Sequence, residues 1–261
     1  MSREMLFYRA GDGLIATGRL GTDGIFADLA DGKLAPNWTH IVPVGRELLF
    51  YRAGDGVIST GRIDTNGIFA ELAEGGLAPA WTHIVPVGRE LLFYRAGDGV
   101  ISTGRIDTDG IFAELAEGQL APNWTRIVPV GRELLFYRAG DGVISTGNLS
   151  VAGIFAELAE GGLAPAWTHI VPVGRELLFY RAGDGVISTG RIDTDGIFAE
   201  LAEGGLAPAW THIVPVGREL LFYRAGDGVI STGRIDTEGI FAELAEGGLN
   251  PDWTSITALT A

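Results

Sequence analysis

The 261-residue sequence contains no cysteine, which excludes disulfides, thiolate nucleophiles and Cys-ligated metals. It has no uninterrupted apolar run near the roughly 18 residues that a membrane span needs. The formal net charge is −14 and no basic stripe offsets it, so nucleic acid and anionic membrane are not expected as partners. The opening MSREMLFYRA lacks a basic segment followed by an apolar core, so no secretory signal is read there. The expected location is cytoplasmic, with release onto extracellular glycans as a second route. No Gly-rich phosphate loop, Gly-x-Ser-x-Gly elbow or Ser/His/Asp set occurs. With 46% hydrophobic and 20% charged residues, the chain is also too apolar to be disordered.

What is present is repetition. Trp and Tyr each occur six times and Phe twelve times. An Arg-Glu or equivalent start recurs every 43 residues, at Arg3, Arg46, Arg89, Arg132, Arg175 and Arg218. The units are 3–45, 46–88, 89–131, 132–174, 175–217 and 218–260, read as one domain over 1–261. The unit from Arg175 departs from the unit from Arg46 only in having Asp195 for Asn66. Repeats of this length form stacked or ring-shaped architectures.

Within a unit, runs rich in Val, Ile, Phe, Tyr and Thr alternate with Gly-containing breaks, which is a strand pattern. Four strands are predicted: Glu47 to Arg52, Val57 to Ile63, Ile68 to Ala73 and Trp81 to Val87. The breaks Ala53-Gly54-Asp55-Gly56 and Asp64-Thr65-Asn66-Gly67 read as hairpin turns. Ala, Glu and Leu give Ile68 to Glu74 a helical alternative, but seven residues is short for a helix. Leu48-Leu49-Phe50-Tyr51 is apolar on both faces and must be covered on both. Six four-stranded blades packed around an axis meet that need, so the expected fold is all-β, a six-bladed β-propeller.

Proline orders the strands. Pro86 cannot donate a ladder hydrogen bond, so its strand belongs at a blade edge. Gly75 to Ala80 is the longest loop and can cross from the outer edge of one blade to the inner edge of the next, which places the Trp strand innermost. The last segment, Trp253 to Thr257, is then expected to pair with residues 4–9 in a three-plus-one closing blade.

The same order gathers the Ala53-Gly56 turn and the long crossover loop on one face. There an aromatic plate with carboxylate and guanidinium neighbours suits a pyranose ring. The candidate sugar-binding residues are Trp38, Trp81, Trp124, Trp167, Trp210 and Trp253; Asp12, Asp55, Asp98, Asp141, Asp184 and Asp227; Arg9, Arg52, Arg95, Arg138, Arg181 and Arg224; and Asn37 and Asn123. The structural alternative makes each Trp a packing residue between blades, each Asp a turn former and each Arg an ion-pair partner. Histidine follows Trp by two at His40, His83, His169 and His212, but Arg126 and Ser255 stand there in the other copies, which excludes six metal-binding or catalytic histidines. Asp107-Thr108-Asp109-Gly110 resembles half a calcium loop without its remaining ligands, and reads as a solvated turn. The triplets at Asn37, Asn123 and Asn148 match a glycosylation acceptor by coincidence when no secretion signal is read. No catalytic residue, metal or cofactor is expected, because near-identical units offer one chemical set repeated and not an asymmetric one.

Trp81-Thr82-His83-Ile84-Val85-Pro86-Val87-Gly88, followed by an apolar Leu-Leu-Phe-Tyr strand, resembles the repeat of tachylectin- and tectonin-type sugar-binding propellers. The pattern recurs in every unit. The resemblance implies a lectin with one site per blade or blade junction, specific for N-acetylated amino sugars and gaining avidity on glycan-rich surfaces. The Asn-Trp pair of that family is matched at Asn37-Trp38 and Asn123-Trp124, while Ala80, Ala166, Ala209 and Asp252 stand there in the other copies. The expectation is therefore a multivalent, monomeric, non-enzymatic glycan-binding protein. Its alternative is a symmetric scaffold that binds partner proteins and no sugar.

Overall fold

A computed structural model describes residues 3–259, which form twenty-four strands, β1 to β24 in chain order. They make six four-stranded antiparallel sheets. One blade consists of β4 (His40–Val44), β5 (Glu47–Tyr51), β6 (Val57–Ile63) and β7 (Phe69–Gly76), in that order from one edge to the other. The innermost strands of the following blades are β8 (His83–Val87), β12 (Arg126–Val130), β16 (His169–Val173) and β20 (His212–Val216). Each touches its counterpart in the next blade, and β24 (Ser255–Ala258) touches both β20 and β4, which closes the ring. The molecule is a six-bladed β-propeller.

The closing blade has the expected composite form. Strand β24 pairs antiparallel with β1 (Glu4–Arg9), from Met5 opposite Ala258 to Tyr8 opposite Ser255. Strands β2 (Leu14–Leu20) and β3 (Phe26–Lys33) complete it. No helix among the described residues is long and apolar enough to cross a membrane.

Local chemistry accounts for the shifts from the expected boundaries. The innermost strand begins at His83 and not at Trp81, because the Trp81 amide donates to the Tyr51 hydroxyl at 3.1 Å and not to a ladder carbonyl. That hydroxyl donates in turn to Ala78 O at 3.0 Å, so each tyrosine pins the crossover loop leading to the next blade. The outer strand runs Phe69–Gly76, and the segment with helical composition is strand because β6 supplies its partners. A bulge after Thr60 brings the Phe69 ring over Gly61, where a Cβ would stand 2.3 Å from the ring.

The core lies between blades. One cluster joins Val42, Leu49, Tyr51 and Ile58 of one blade to Trp81, Ile84, Leu91 and Phe93 of the next. Tyr51 and Leu49 are fully covered, as a strand apolar on both faces demands. A belt of hydrogen bonds joins the blades as well: Thr60 Oγ1 donates to Gly110 O at 2.7 Å, and the bond recurs around the ring to Thr232 and Gly24 at 3.0 Å.

Candidate functional site

The structure brings the expected Trp, Arg and Asp residues together on the crossover face, in an arrangement that satisfies them internally. Trp81 is 6% exposed, and Trp38, Trp124, Trp167, Trp210 and Trp253 are buried in the same way at blade junctions. Trp81 packs against Phe93, with ring centroids 5.8 Å apart. The Arg95 guanidinium lies over the Trp81 ring at 5.6 Å, and Arg52, Arg138, Arg181 and Arg224 lie likewise over Trp38, Trp124, Trp167 and Trp210. Each arginine is also held by the carboxylate three residues on. Arg52 Nε donates to Asp55 Oδ1 at 2.9 Å and a terminal nitrogen donates to Oδ2 at 2.7 Å. The same pairing joins Arg9 to Asp12, Arg95 to Asp98, Arg138 to Asp141, Arg181 to Asp184 and Arg224 to Asp227. The guanidinium of Arg9 holds the Asp12 carboxyl down to about 2, and Arg52 lowers Asp55 in the same way. Each Asp also accepts from the amide two residues on, such as Val57 N at 3.2 Å.

The two candidate asparagines are explained by backbone geometry. Asn37 and Asn123 have φ of 69° and 72°, left-handed values that Asn tolerates better than most residues. Ala80 and Ala209 occupy the same conformation in other copies. The Asp107 carboxylate accepts from Asp109 N and Ile111 N at 3.0 and 2.9 Å, so that turn is capped by its own aspartate.

A second arrangement on this face lies around the axis. His40, His83, Arg126, His169 and His212 open five of the innermost strands, and each reaches across to a threonine carbonyl of the next blade. His40 Nε2 stands 3.2 Å from Thr82 O, His83 Nε2 3.2 Å from Thr125 O, and His169 Nε2 3.1 Å from Thr211 O. Arg126 fills the same role with two nitrogens on Thr168 O, at 3.2 and 2.8 Å. Ser255, at the closing blade, has only a hydroxyl in this position. On the imidazoles' other side, Thr82 Oγ1 lies 3.0 Å from His83 Nδ1 and Thr168 Oγ1 lies 3.1 Å from His169 Nδ1. Burial lowers the pKa of all four histidines, and the positive charge of Arg126 lowers His83 and His169 further. Neutral imidazoles beside one permanent cation make an asymmetric set of a base and an anion-stabilising group. In the sequence, the exchange of His for Arg126 argues against a symmetric ring of histidines. The exchange breaks the repeat where six strands converge, and it is legible in the sequence.

No family model matches the chain, and no curated protein matches its sequence. Solved structures do match. A candidate 6-phosphogluconolactonase from Bacteroides fragilis superposes with a TM-score of 0.65 at 13% identity, over 95% of each chain. The periplasmic gluconolactonase of Pseudomonas aeruginosa gives a TM-score of 0.61 at 15% identity, over 97% of this chain and 98% of that one. A chain of a nidogen/laminin complex gives 0.55 at 16%, over 97% of both. At these identities the likeness shows the fold.

The comparisons correct the expected function. These similar structures carry the names of lactonases and other propellers and not of lectins, which overturns the multivalent lectin. The physical reason lies in the Trp sites: at Trp38, Trp81, Trp124, Trp167 and Trp210 a guanidinium already covers the indole face on which a pyranose would stack, and the carboxylate that would bind its hydroxyls is held by the same guanidinium. The expectation of a non-enzyme is overturned by the same lactonase names. It had rested on six equivalent units, whereas the axis carries a set that is not sixfold.

Proposed function

We propose that this propeller hydrolyses a lactone of the sugar-acid type at the axial mouth of the crossover face. The reaction class comes from the lactonase names of the Bacteroides and Pseudomonas structures. The observation in this chain that carries the reading is Arg126, flanked in the ring by His83 and His169, with both imidazoles favoured in their neutral form.

Lactone hydrolysis needs a base for water and a positive group for the oxyanion that forms. In this reading water adds to the lactone carbonyl while its proton passes through the Thr82 or Thr168 hydroxyl to Nδ1 of the adjacent histidine. Arg126 faces the developing oxyanion. The tetrahedral species collapses by breaking the ring C–O bond, the departing alkoxide takes the proton back, and the product is an open hydroxy acid that ionises in solvent.

The test is proton release in a pH-stat with glucono-δ-lactone and with its 6-phosphate, measured against spontaneous hydrolysis. Arg126→Gln is expected to lower kcat/KM by about 10²–10³, and the His83→Gln, His169→Gln pair by about 10²–10⁴. Because the active imidazole is neutral and burial lowers its pKa from the ordinary 6.5, kcat/KM stays level through pH 6.5 and falls only at the more acidic pH where the imidazole takes up a proton. Failure to accelerate either lactone overturns the reading.

A further inference from the structure

We propose that the axial mouth is an acid-gated binding site for a small multivalent oxyanion, which Arg126 holds and the positive charge of the imidazolium forms of His40, His83, His169 and His212 attracts. The inference uses the same mouth as the proposed hydrolysis but does not rest on it.

The first support is a hydroxyl that can turn. Thr39 Oγ1 accepts from Ala53 N at 3.0 Å and lies 3.0 Å from both Tyr51 O and His40 Nδ1. Since His40 Nε2 faces a carbonyl, it must carry hydrogen, and in neutral His40 Nδ1 is then a lone pair that accepts from the Thr39 hydroxyl. When His40 takes up a proton, Nδ1–H donates to Thr39 Oγ1 and the hydroxyl hydrogen swings to Tyr51 O. Tyr51 O already accepts from Thr39 N at 2.9 Å, so it gains this bond in one state and loses nothing essential in the other. His83, His169 and His212 have the same partners in their own blades, with Thr82, Thr168 and Thr211 as the hydroxyls. Each imidazole can thus change charge without stranding a hydrogen-bonding group, which a buried neutral-only histidine cannot do.

The second support is where the acids are. The protein is strongly acidic, yet among the described residues no carboxylate acts on any of the four histidines. The groups facing them are Arg126, the neighbouring imidazoles, and the rings of Tyr51, Tyr94, Tyr180 and Tyr223 at 5.5–5.7 Å, whose hydroxyls are taken by the crossover loops. Arg126 itself contacts carbonyl oxygens of Thr125 and Thr168, partners that an anion can displace. The aspartates three residues after Arg52 and its equivalents on the same face are paired with those arginines, and exposed acids such as Glu74 and Glu117 stand on the outer strands. A multivalent anion repelled by the rest of the surface therefore meets one mouth that becomes more positive as pH falls.

Isothermal calorimetry with inorganic pyrophosphate, at pH 5.5 and 7.5 and in two buffers of different ionisation enthalpy, tests this. The expected result is one site per chain, binding at least tenfold tighter at pH 5.5, with proton uptake on binding. Arg126→Gln should weaken binding at both pH values, the His83→Gln, His169→Gln pair should remove most of the pH dependence, and Ser255→His should strengthen binding at pH 5.5. Absence of binding at pH 5.5, affinity independent of pH, or binding without proton uptake overturns the proposal using the wild-type protein alone. Near-ultraviolet circular dichroism establishes that each variant is folded. Because pyrophosphate is not turned over, loss of the hydrolytic reading leaves this result standing, and the reverse holds as well.

Discussion

At the scale of single residues, the clearest lesson concerns positions whose role depends on backbone angle. Ala80 and Ala209 sit at φ of 75° and 72°, where the Cβ of an ordinary residue costs energy, while the equivalent Asn37 and Asn123 sit there with little strain. The asparagines that resembled half of a sugar-binding motif are thus the residues best suited to the loop. Ala80→Asn is expected to raise stability by about 0.5–1 kcal/mol, read as a higher urea midpoint with unchanged slope. A decrease would mean that the loop backbone differs from the one described. Gly56 is constrained in a different way: a Cβ there would lie 2.1 Å from Leu77 O, so the turn and the crossover loop can approach only with no side chain between them.

At the scale of elements, blades are joined to their neighbours by hydrogen bonds as well as by the apolar clusters between them. The threonine of each second-from-outer strand donates to a glycine carbonyl 50 residues away in the next blade, or across the closure at Thr232 and Gly24. Gly110 has φ of 81°, and a Cβ on it would stand 2.4 Å from Thr60 Oγ1. Gly110→Ala is expected to cost about 2–4 kcal/mol, from positive-φ strain together with a lost buried hydrogen bond. Thr60→Val should cost about 1–3 kcal/mol by leaving the Gly110 carbonyl without that donor. Chemical denaturation measures both, and a neutral Gly110→Ala would refute the belt as a constraint. Much at this scale was legible in sequence: Pro86 marked an edge strand, the two-sided apolar Leu48 to Tyr51 marked burial on both faces, and the Gly-containing turns stand where expected. The start of the innermost strand was not legible, because Trp81 leaves the ladder to meet Tyr51, a contact between segments 30 residues apart.

At the scale of the whole molecule, closure rests on non-covalent pairing between β24 and β1. Removing residues 253–261 strips the innermost strand from one blade and exposes Met5 and Phe7, which pack against Trp253 and Ile256. Such a truncation is expected to abolish cooperative unfolding, seen as loss of the calorimetric transition, whereas a folded ring with one three-stranded blade would show that closure is dispensable. The charge distribution also belongs to this scale. Exposed glutamates on the outer strands, such as Glu71 and Glu74, stand along the free sheet edges and discourage edge-to-edge pairing between molecules.

The sequence by itself determined the sixfold repeat, the four strands per blade, the innermost position of the proline strand and the composite closure. These follow from periodicity, proline chemistry and chain order, which are local properties. The roles of the recurring side chains were decided by tertiary structure alone. Near-identical copies cannot say which neighbouring copy a residue touches, so the burial of Trp81 under Arg95, the Arg–Asp pairing that quiets the face, and the meeting of Arg126 with His83 and His169 at the axis appear only when the ring closes. Repetition fixes the blade, whereas convergence on an axis sets the exchanged Arg126 and Ser255 among four histidines.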